Sequence, residues 1–295
     1  MRSSAVAIGA SATRSRDYVA LAKPRLNLLV VASTLVGYAM APGDALGFVG
    51  VLGLLLGTGL VAGGASAFNQ VMERDLDALM RRTRRRPLPD QRLQPIEGAL
   101  FATALTLIGV LMIVAVSNVL AGAVALATLV IYAAIYTPLK RRTSFSTVIG
   151  AIPGALPPVI GWAAVTNGIS AEAWTLFVIM FLWQLPHFLA IAWMYREDYG
   201  RAGYPMLPVL EPDGRSTGRQ SVVYAVALLP VSLAPTAMRM SGDLYLAGAL
   251  VLGLAYAWLT FVFARTRSVQ DARRVFFASI LYLPLLWILM IVDKL

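Results

Sequence analysis

Nine apolar stretches, each long enough to cross a lipid bilayer as a helix, alternate along this sequence with shorter polar connections. They fall at roughly residues 24–41, 48–68, 98–117, 120–137, 147–166, 172–194, 222–240, 244–264 and 274–292. About 20 apolar residues at 1.5 Å rise suffice for the ~30 Å hydrocarbon layer. That layer holds no water, so a crossing backbone must satisfy its own N–H and C=O groups, and a helix does this within one segment. The expected fold class is an all-α polytopic membrane protein, a bundle of nine transmembrane helices. Composition agrees, with 58% of residues hydrophobic and 14% charged, against about half and a quarter in soluble domains. A soluble α/β enzyme, a coiled coil and a disordered chain are poor fits.

The charge follows the same alternation. The chain carries 25 Lys and Arg against 15 Asp and Glu, a formal net charge of +10. Arg2, Arg14, Arg16, Lys23 and Arg25 precede or open the first span. Arg74, Arg81, Arg82, Arg84, Arg85, Arg86 and Arg92 follow the second, and Lys140, Arg141 and Arg142 the fourth. Arg196, Arg201, Arg215 and Arg219 follow the sixth, and Arg265, Arg267, Arg273 and Arg274 the eighth. Only Arg239 and Lys294 fall on the other side. Lys and Arg mark cytoplasmic loops, so the N terminus is expected in the cytoplasm and the C terminus outside. Topology thus accounts for the basic excess, and nucleic acid is not an expected partner. With no cysteine, disulfides, iron–sulfur ligation and thiol catalysis are excluded.

Residues 1–20 are expected to form a basic, disordered tail, and residues 21–295 one domain whose long cytoplasmic loops cover about 69–97 and 195–221. The Arg-, Ser- and Ala-rich, acid-free stretch 1–16 suits a tail at an anionic leaflet or a short mitochondrial transit peptide. A bacterial inner membrane is the favoured location, with the mitochondrial inner membrane as the alternative. Gly57, Gly59, Gly63 and Gly64 in the second span, and Gly150, Gly154 and Gly161 in the fifth, permit close helix packing. Pro153, Pro157 and Pro158 should kink or break the fifth.

Four constellations can carry chemistry, all but Gln184 and His187 near the cytoplasmic ends of spans. Asn69, Glu73 and Asp77 are spaced i, i+4, i+8, which puts three oxygen-bearing side chains on one helical stripe about 6 Å apart. Such a stripe either pairs with neighbouring arginines or holds a hard cation such as Mg²⁺, which bridges carboxylates to substrate phosphates. Arg81, Arg82, Arg85 and Arg86 follow directly; they are either a topology signal or a grip on a polyanion, since guanidinium forks match phosphate oxygens. Tyr136, Lys140 and Arg141 end the fourth span, as interfacial anchors or as diphosphate contacts, with Pro138 casting doubt on a regular helix there. Gln184 and His187 lie inside the sixth span, with Glu197 and Asp198 just after it. Helical spacing would place Gln184, His187 and Asp198 on one face. His187 is either a hydrogen-bonded interior group or a functional one, as ionisable groups at membrane depth are by default.

Taken together, Asn69-x3-Glu73-x3-Asp77, Arg82-Thr83-x-x-Arg86-Pro87-Leu88, Tyr136-Thr-x-x-Lys140-Arg141, Trp183-Gln184-x-Pro186-His187-Phe188, Asp198-Tyr199 and Gly203-Tyr-Pro205-Met206-Leu207-Pro208 resemble the intramembrane aromatic prenyltransferase superfamily, over roughly residues 20–290. The Arg-Thr and Trp-Gln stretches point to its haem-modifying branch. The resemblance implies a nine-helix bundle with a lateral opening to lipid and a polar cytoplasmic cavity. It implies Mg²⁺ between a polyprenyl diphosphate and two acidic motifs, the first on Asn69, Glu73 and Asp77, the second at Asp198 or Glu197. It further implies diphosphate contact at Tyr136 and Lys140, with farnesyl diphosphate and haem b as substrates and a downstream haem-modifying enzyme as partner. Many members carry spaced aspartates on the sixth helix where this chain has Tyr195, Glu197 and Asp198, so which residue completes the second metal site stays open. His187 is left between haem-iron ligand and proton acceptor. Competing readings are a prenyltransferase acting on 4-hydroxybenzoate or a chlorophyll precursor, and a transporter.

Overall fold

The computed structural model describes residues 14–295, and helices with short connections make up this region. A bent pair comes first: α1 (Arg14–Ala22) and α2 (Pro24–Met40) meet at 41°. There follow α3 (Phe48–Asp77), α4 (Pro95–Val116), α5 (Val119–Leu139), α6 (Ser146–Thr166) and α7 (Ala171–Met194). The short helices α8 (Arg196–Arg201) and α9 (Leu207–Leu210) occupy the second long loop. The chain ends with α10 (Arg215–Ala237), α11 (Asp243–Thr266) and α12 (Val269–Val292). Among the described residues eight helices are long and apolar enough to cross a membrane singly, and the α1–α2 pair brings the number to nine. Each expected span has its helix.

Packing follows from side-chain size. α3 lies along α4, where a Cβ on Gly57 would stand 2.9 Å from the Gly109 carbonyl oxygen and one on Gly109 2.6 Å from that of Gly57. Only two glycines let these backbones approach so closely, the small-residue packing typical of helices in lipid. The bulky apolar residues split two ways. Trp183, Tyr245, Tyr256, Tyr282, Leu286 and Trp287 fill a core between α7, α10, α11 and α12. Leu107, Leu111, Val251, Leu254, Leu281 and Ile288 are exposed on the outer faces. A band of that kind suits lipid and would be anomalous in water.

Three local outcomes bear on the site. The α6 span is broken at Leu156, between Ala155 and Pro157, as its prolines require. The expected disordered tail over 1–20 is corrected from Arg14 onward, while residues 1–13 lie outside the described residues. Arg14 pairs with Glu97 at 2.6 Å, Asp17 with Arg92 at 3.1 Å, and Leu21 is fully buried, so α1 is held down as a helix. Between α1 and α2, Lys23 takes a left-handed conformation (φ 48°, ψ 54°) just before Pro24, which disfavours continuing the right-handed helix through the residue before it.

Candidate functional site

α3 runs for 30 residues, past the apolar part of its sequence and out to Asp77. One unbroken helix therefore carries the stripe, and Asn69, Glu73 and Asp77 are buried to 5%, 2% and 1% exposure. Asp75, two residues from each acid, points outward beside Arg74. Buried carboxylates need a cation, and both have one from the chain. The Lys140 ammonium donates to both oxygens of Glu73 at 3.1 Å. Arg86 donates to Asp77 at 2.6 Å. Asn69 donates to the Thr137 hydroxyl at 3.4 Å, tying the stripe to α5.

The loop after α3 folds back onto the helix it leaves. The Thr83 hydroxyl donates to the Asp77 backbone carbonyl at 2.8 Å, reinforcing the Met80 N–H that reaches the same oxygen at 3.3 Å. That turn brings Arg86 onto Asp77 and buries Leu88 against Leu21. Arg82 reaches the other way, over the Tyr195 ring at 4.8 Å and to the Tyr199 hydroxyl at 3.4 Å. It joins the two long loops. Arg81 and Arg85 stay exposed at the surface.

α5 solves its proline problem with a π-turn over Ile131–Tyr136. The wider turn absorbs the N–H that Pro138 lacks, and the Lys140 N–H still reaches the Tyr136 carbonyl at 2.9 Å. Tyr136 and Lys140 thus remain one turn apart, as their spacing requires. The Tyr136 ring lies against bare Gly150, where a Cβ would come within 2.6 Å. Burial works against the Lys140 ammonium, but Glu73 outweighs it and holds the pKa above the ordinary lysine value. Lys140 also sits over the Tyr204 ring at 4.7 Å. Burial raises the Tyr204 phenol, with Lys140 opposing and Glu73 reinforcing, so it stays protonated. Arg141 donates to the Met72 carbonyl on the outer flank of α3.

The second acidic region is built differently. α7 stops at Met194, because Tyr195 leaves helical geometry (φ −112°, ψ 21°) before α8 starts. The expectation that Asp198 shares a helical face with Gln184 and His187 fails for that reason. Asp198 is buried at 9% exposure and pairs with Arg201 one turn on, whereas Glu197 is exposed. Gln184 donates to the Ala151 and Met180 carbonyls at 2.8 and 3.1 Å, with bare Gly154 beside it. His187 Nδ1 lies 2.6 Å from the Ser279 hydroxyl, and its ring stacks between Trp183 and Phe276. Neither makes a hydrogen bond to the acid cluster.

Among the described residues no three His, Asp or Glu side chains gather into a ready-made metal cage. The donor set still suits a hard divalent ion: buried oxygens at one-turn spacing, with the two carboxylates neutralised by an ammonium and a guanidinium in a cation's place. Mg²⁺ commonly binds through one or two carboxylates and completes its shell with water and substrate phosphate. Residues to which the sequence assigned no contact are Thr83, Thr137, Tyr195, Tyr199 and Tyr204. All but Tyr195 stand within the motifs, but nothing in their spacing shows what they touch.

The pattern of the UbiA prenyltransferase family matches residues 30–281. The chain is 47% identical over 288 residues to a protein named protoheme IX farnesyltransferase from Solibacter usitatus, covering 95% of this chain and 99% of that one. A protein of the same name from Salinibacter ruber is 43% identical, with 94% and 98% covered. Among solved structures, a digeranylgeranylglyceryl phosphate synthase aligns with a TM-score of 0.79 at 15% identity, covering 95% of this chain and 98% of that one. A UbiA homologue from Archaeoglobus fulgidus bound to GPP and Mg²⁺ aligns with a TM-score of 0.69 at 15% identity, with 93% and 99% covered. At such identities the solved structures show the shared fold.

Proposed function

The chain belongs to the UbiA prenyltransferase family, and from that premise we propose that it transfers a farnesyl group from farnesyl diphosphate to a vinyl group of haem b, giving haem O for terminal oxidases. The observation that carries the reading is the buried cluster in which Glu73–Lys140 and Asp77–Arg86 pairs line the end of α3. Acids and bases interleaved at one membrane face suit a metal-bound diphosphate better than either alone. The names of the relatives supply the farnesyl donor and the haem acceptor.

Lys140, Arg86 and Arg82 bind and orient the diphosphate, with Arg81, Arg85 and Arg141 drawing it in from the surface and Tyr136 alongside Lys140. Asn69, Glu73, Asp77 and Asp198 would hold Mg²⁺, with exposed Glu197 as the outlying candidate. A bound Mg²⁺ supplies Lewis-acid stabilisation of the charge that develops on the leaving diphosphate. The chain's own cations act on the same oxygens, and low-dielectric surroundings strengthen them. The C–O bond of farnesyl diphosphate breaks, and diphosphate leaves with the electron pair. The farnesyl C1 then bonds to the outer vinyl carbon of the haem. Water adds to the inner vinyl carbon and loses a proton, giving a hydroxyethylfarnesyl side chain. The apolar bundle keeps water from the allylic cation until the C–C bond forms.

Gln184 and His187 belong to the acceptor side in this reading. One ring nitrogen of His187 is engaged by Ser279 and the other has no partner among the described residues. The basic faces lie in the cytoplasm of a bacterial inner membrane, with the C terminus outside, the whole forming one catalytic domain. Haem O then passes to a haem-modifying enzyme. The test incubates purified protein with haem b, farnesyl diphosphate and Mg²⁺ and weighs the haem by mass spectrometry. A hydroxyethylfarnesyl adduct is expected. Unaltered haem alongside prenylated 4-hydroxybenzoate would move the activity to another acceptor.

A further inference from the structure

Haem iron is held by His, Cys, Met or Tyr side chains. This chain has a single histidine, His187, and no cysteine. The ring lies about 10 Å before the end of α7 at Met194, at 1.5 Å rise per residue. Trp183 and Phe276 stack against it at 5.6 and 5.0 Å. What is left for a ligand is the edge, where the two nitrogens lie. Ser279 on α12 is fully buried, and its Oγ lies 2.6 Å from His187 Nδ1 and 2.6 Å from the Phe276 carbonyl oxygen. Two oxygens that close need a hydrogen between them, and a carbonyl has none to give. The single hydroxyl hydrogen of Ser279 therefore points at Phe276. The nearby Tyr256 hydroxyl brings its own hydrogen, which it donates to the Trp183 carbonyl at 3.5 Å, and does not need that of Ser279. Nothing remains on Oγ for the ring, so Nδ1 supplies the hydrogen and donates to Oγ. A neutral imidazole carries one such hydrogen, and Nε2 is left with a lone pair. Nε2 has no partner among the described residues, and His187 is only half-buried.

A lone pair at Nε2 suits a base or a metal ligand, and the far side of the ring separates the two. A base that takes a proton becomes an imidazolium, whose charge is stabilised by an acid behind the other nitrogen. Here the group behind Nδ1 is a neutral hydroxyl, and no acid bonds to His187 or Ser279. A ligand needs no such support. Metal-bound histidines donate their other N–H to a fixed oxygen, which sets the tautomer and the ring orientation. Ser279 builds that arrangement. It also fixes the stacking partner, because Trp183 Nε1 donates to the Ser279 backbone carbonyl at 2.8 Å.

We propose that Ser279 is a positioning residue for the acceptor: held by the Phe276 carbonyl, it fixes His187 in the Nδ1–H form, and Nε2 gives its lone pair to the iron of haem b. This rests on haem b being the acceptor, as proposed above. The new bond is a coordination only, and neither a proton nor an electron leaves the ring.

The single histidine makes the test direct. In the purified full chain in nanodiscs, with histidine labelled in ¹⁵N, NMR should show Nδ1 protonated and Nε2 bare. Ferric haem b added to the unlabelled chain should give the visible and electron paramagnetic resonance spectra of histidine ligation. His187→Ala should lose that signature and regain it with added imidazole. Ser279→Ala should mix the two tautomers and weaken haem b binding about tenfold, the lower end of what losing the hydrogen-bond partner of a metal ligand costs. Ser279→Thr should restore both. KM for haem b should rise in step with the loss of binding, while KM for farnesyl diphosphate stays put. A serine that merely packs α12 against α7 would leave the tautomer unmoved. Nε2 protonated in the wild-type chain, or haem b bound without a histidine signature, would overturn the proposal even if Ser279→Ala does not fold. Wild-type haem affinity in a folded Ser279→Ala would overturn it too. Haem b farnesylated with no histidine signature would overturn the iron ligation and leave the proposed function standing. Haem b neither bound nor altered, while another acceptor is prenylated, would overturn both.

Discussion

The chain presents acids at the ends of two helices, α3 and α7, and builds them in opposite ways. α3 continues unbroken past its apolar part, so spacing of four keeps Asn69, Glu73 and Asp77 on one buried stripe. The cations on its acids arrive from distant sequence, Lys140 from α5 and Arg86 from the returning loop. α7 ends at Met194, and Asp198 lies on the separate six-residue helix α8, paired with its neighbour Arg201. The first acid set is fixed by a rigid helix and long-range partners. The second hangs on a loop that Arg82 pins to the first through Tyr195 and Tyr199. A preformed half and an attached half suit a site that must admit a large diphosphate and then close around it.

If the rigid half carries the main electrostatic load, its loss should be the most severe. Glu73→Gln is expected to lower kcat/KM for farnesyl transfer by at least about a thousandfold, the scale of removing a central charge from a desolvated site. The protein should still accumulate in the membrane. Turnover within tenfold of wild type, in membranes matched for protein, would place the metal and diphosphate elsewhere. Asp198→Asn tests the attached half. It keeps an acceptor for Arg201 but removes the charge, and a fall of about a hundredfold in kcat/KM is expected, about 2.7 kcal/mol of transition-state stabilisation. Equal losses in the two variants would erase the distinction between the halves.

The same contrast separates what was legible in the sequence from what was not. The nine spans among the described residues could be read because an apolar run of bilayer length leaves few alternatives. The α3 stripe could be read because periodicity is local and the helix does not stop. The shared face of Gln184, His187 and Asp198 could not, since it assumed a continuity that Tyr195 interrupts and no strong breaker stands there in the sequence. Nor could the helical start at Arg14, which depends on ion pairs with Glu97 and Arg92 about 80 residues away. Glu73 takes Lys140, 67 residues on, in preference to the arginines that follow it in the sequence. Partners of buried charges are chosen by topology, and spacing along one segment does not encode them.

Thr83 sharpens the comparison at finer scale, because it turns the chain that returns Arg86 to Asp77. Thr83→Val keeps the shape but loses the hydroxyl that caps the Asp77 carbonyl. A misplaced Arg86 should lower kcat/KM about tenfold, the order expected when a positioning contact is relaxed. Restoration by Thr83→Ser would assign the effect to the hydroxyl. No loss in Thr83→Val would mean that Arg86 finds Asp77 without the cap.

Glu197 is expected to have the smallest effect and separates the acids of α8 most sharply. It adjoins Asp198, but on so short a helix adjacent side chains diverge by about 100°. The structure buries Asp198 and leaves Glu197 at the surface. An exposed carboxylate facing water contributes little to a buried diphosphate. Glu197→Gln should therefore change kcat/KM and the Mg²⁺ dependence of turnover by less than about twofold, a difference under about 0.4 kcal/mol. A loss matching that of Asp198→Asn, with a raised Mg²⁺ requirement, would show that α8 rotates when substrate binds and that both acids enter the site. The attached half would then be a moving element, and the static pairing of Asp198 with Arg201 would describe only its resting position.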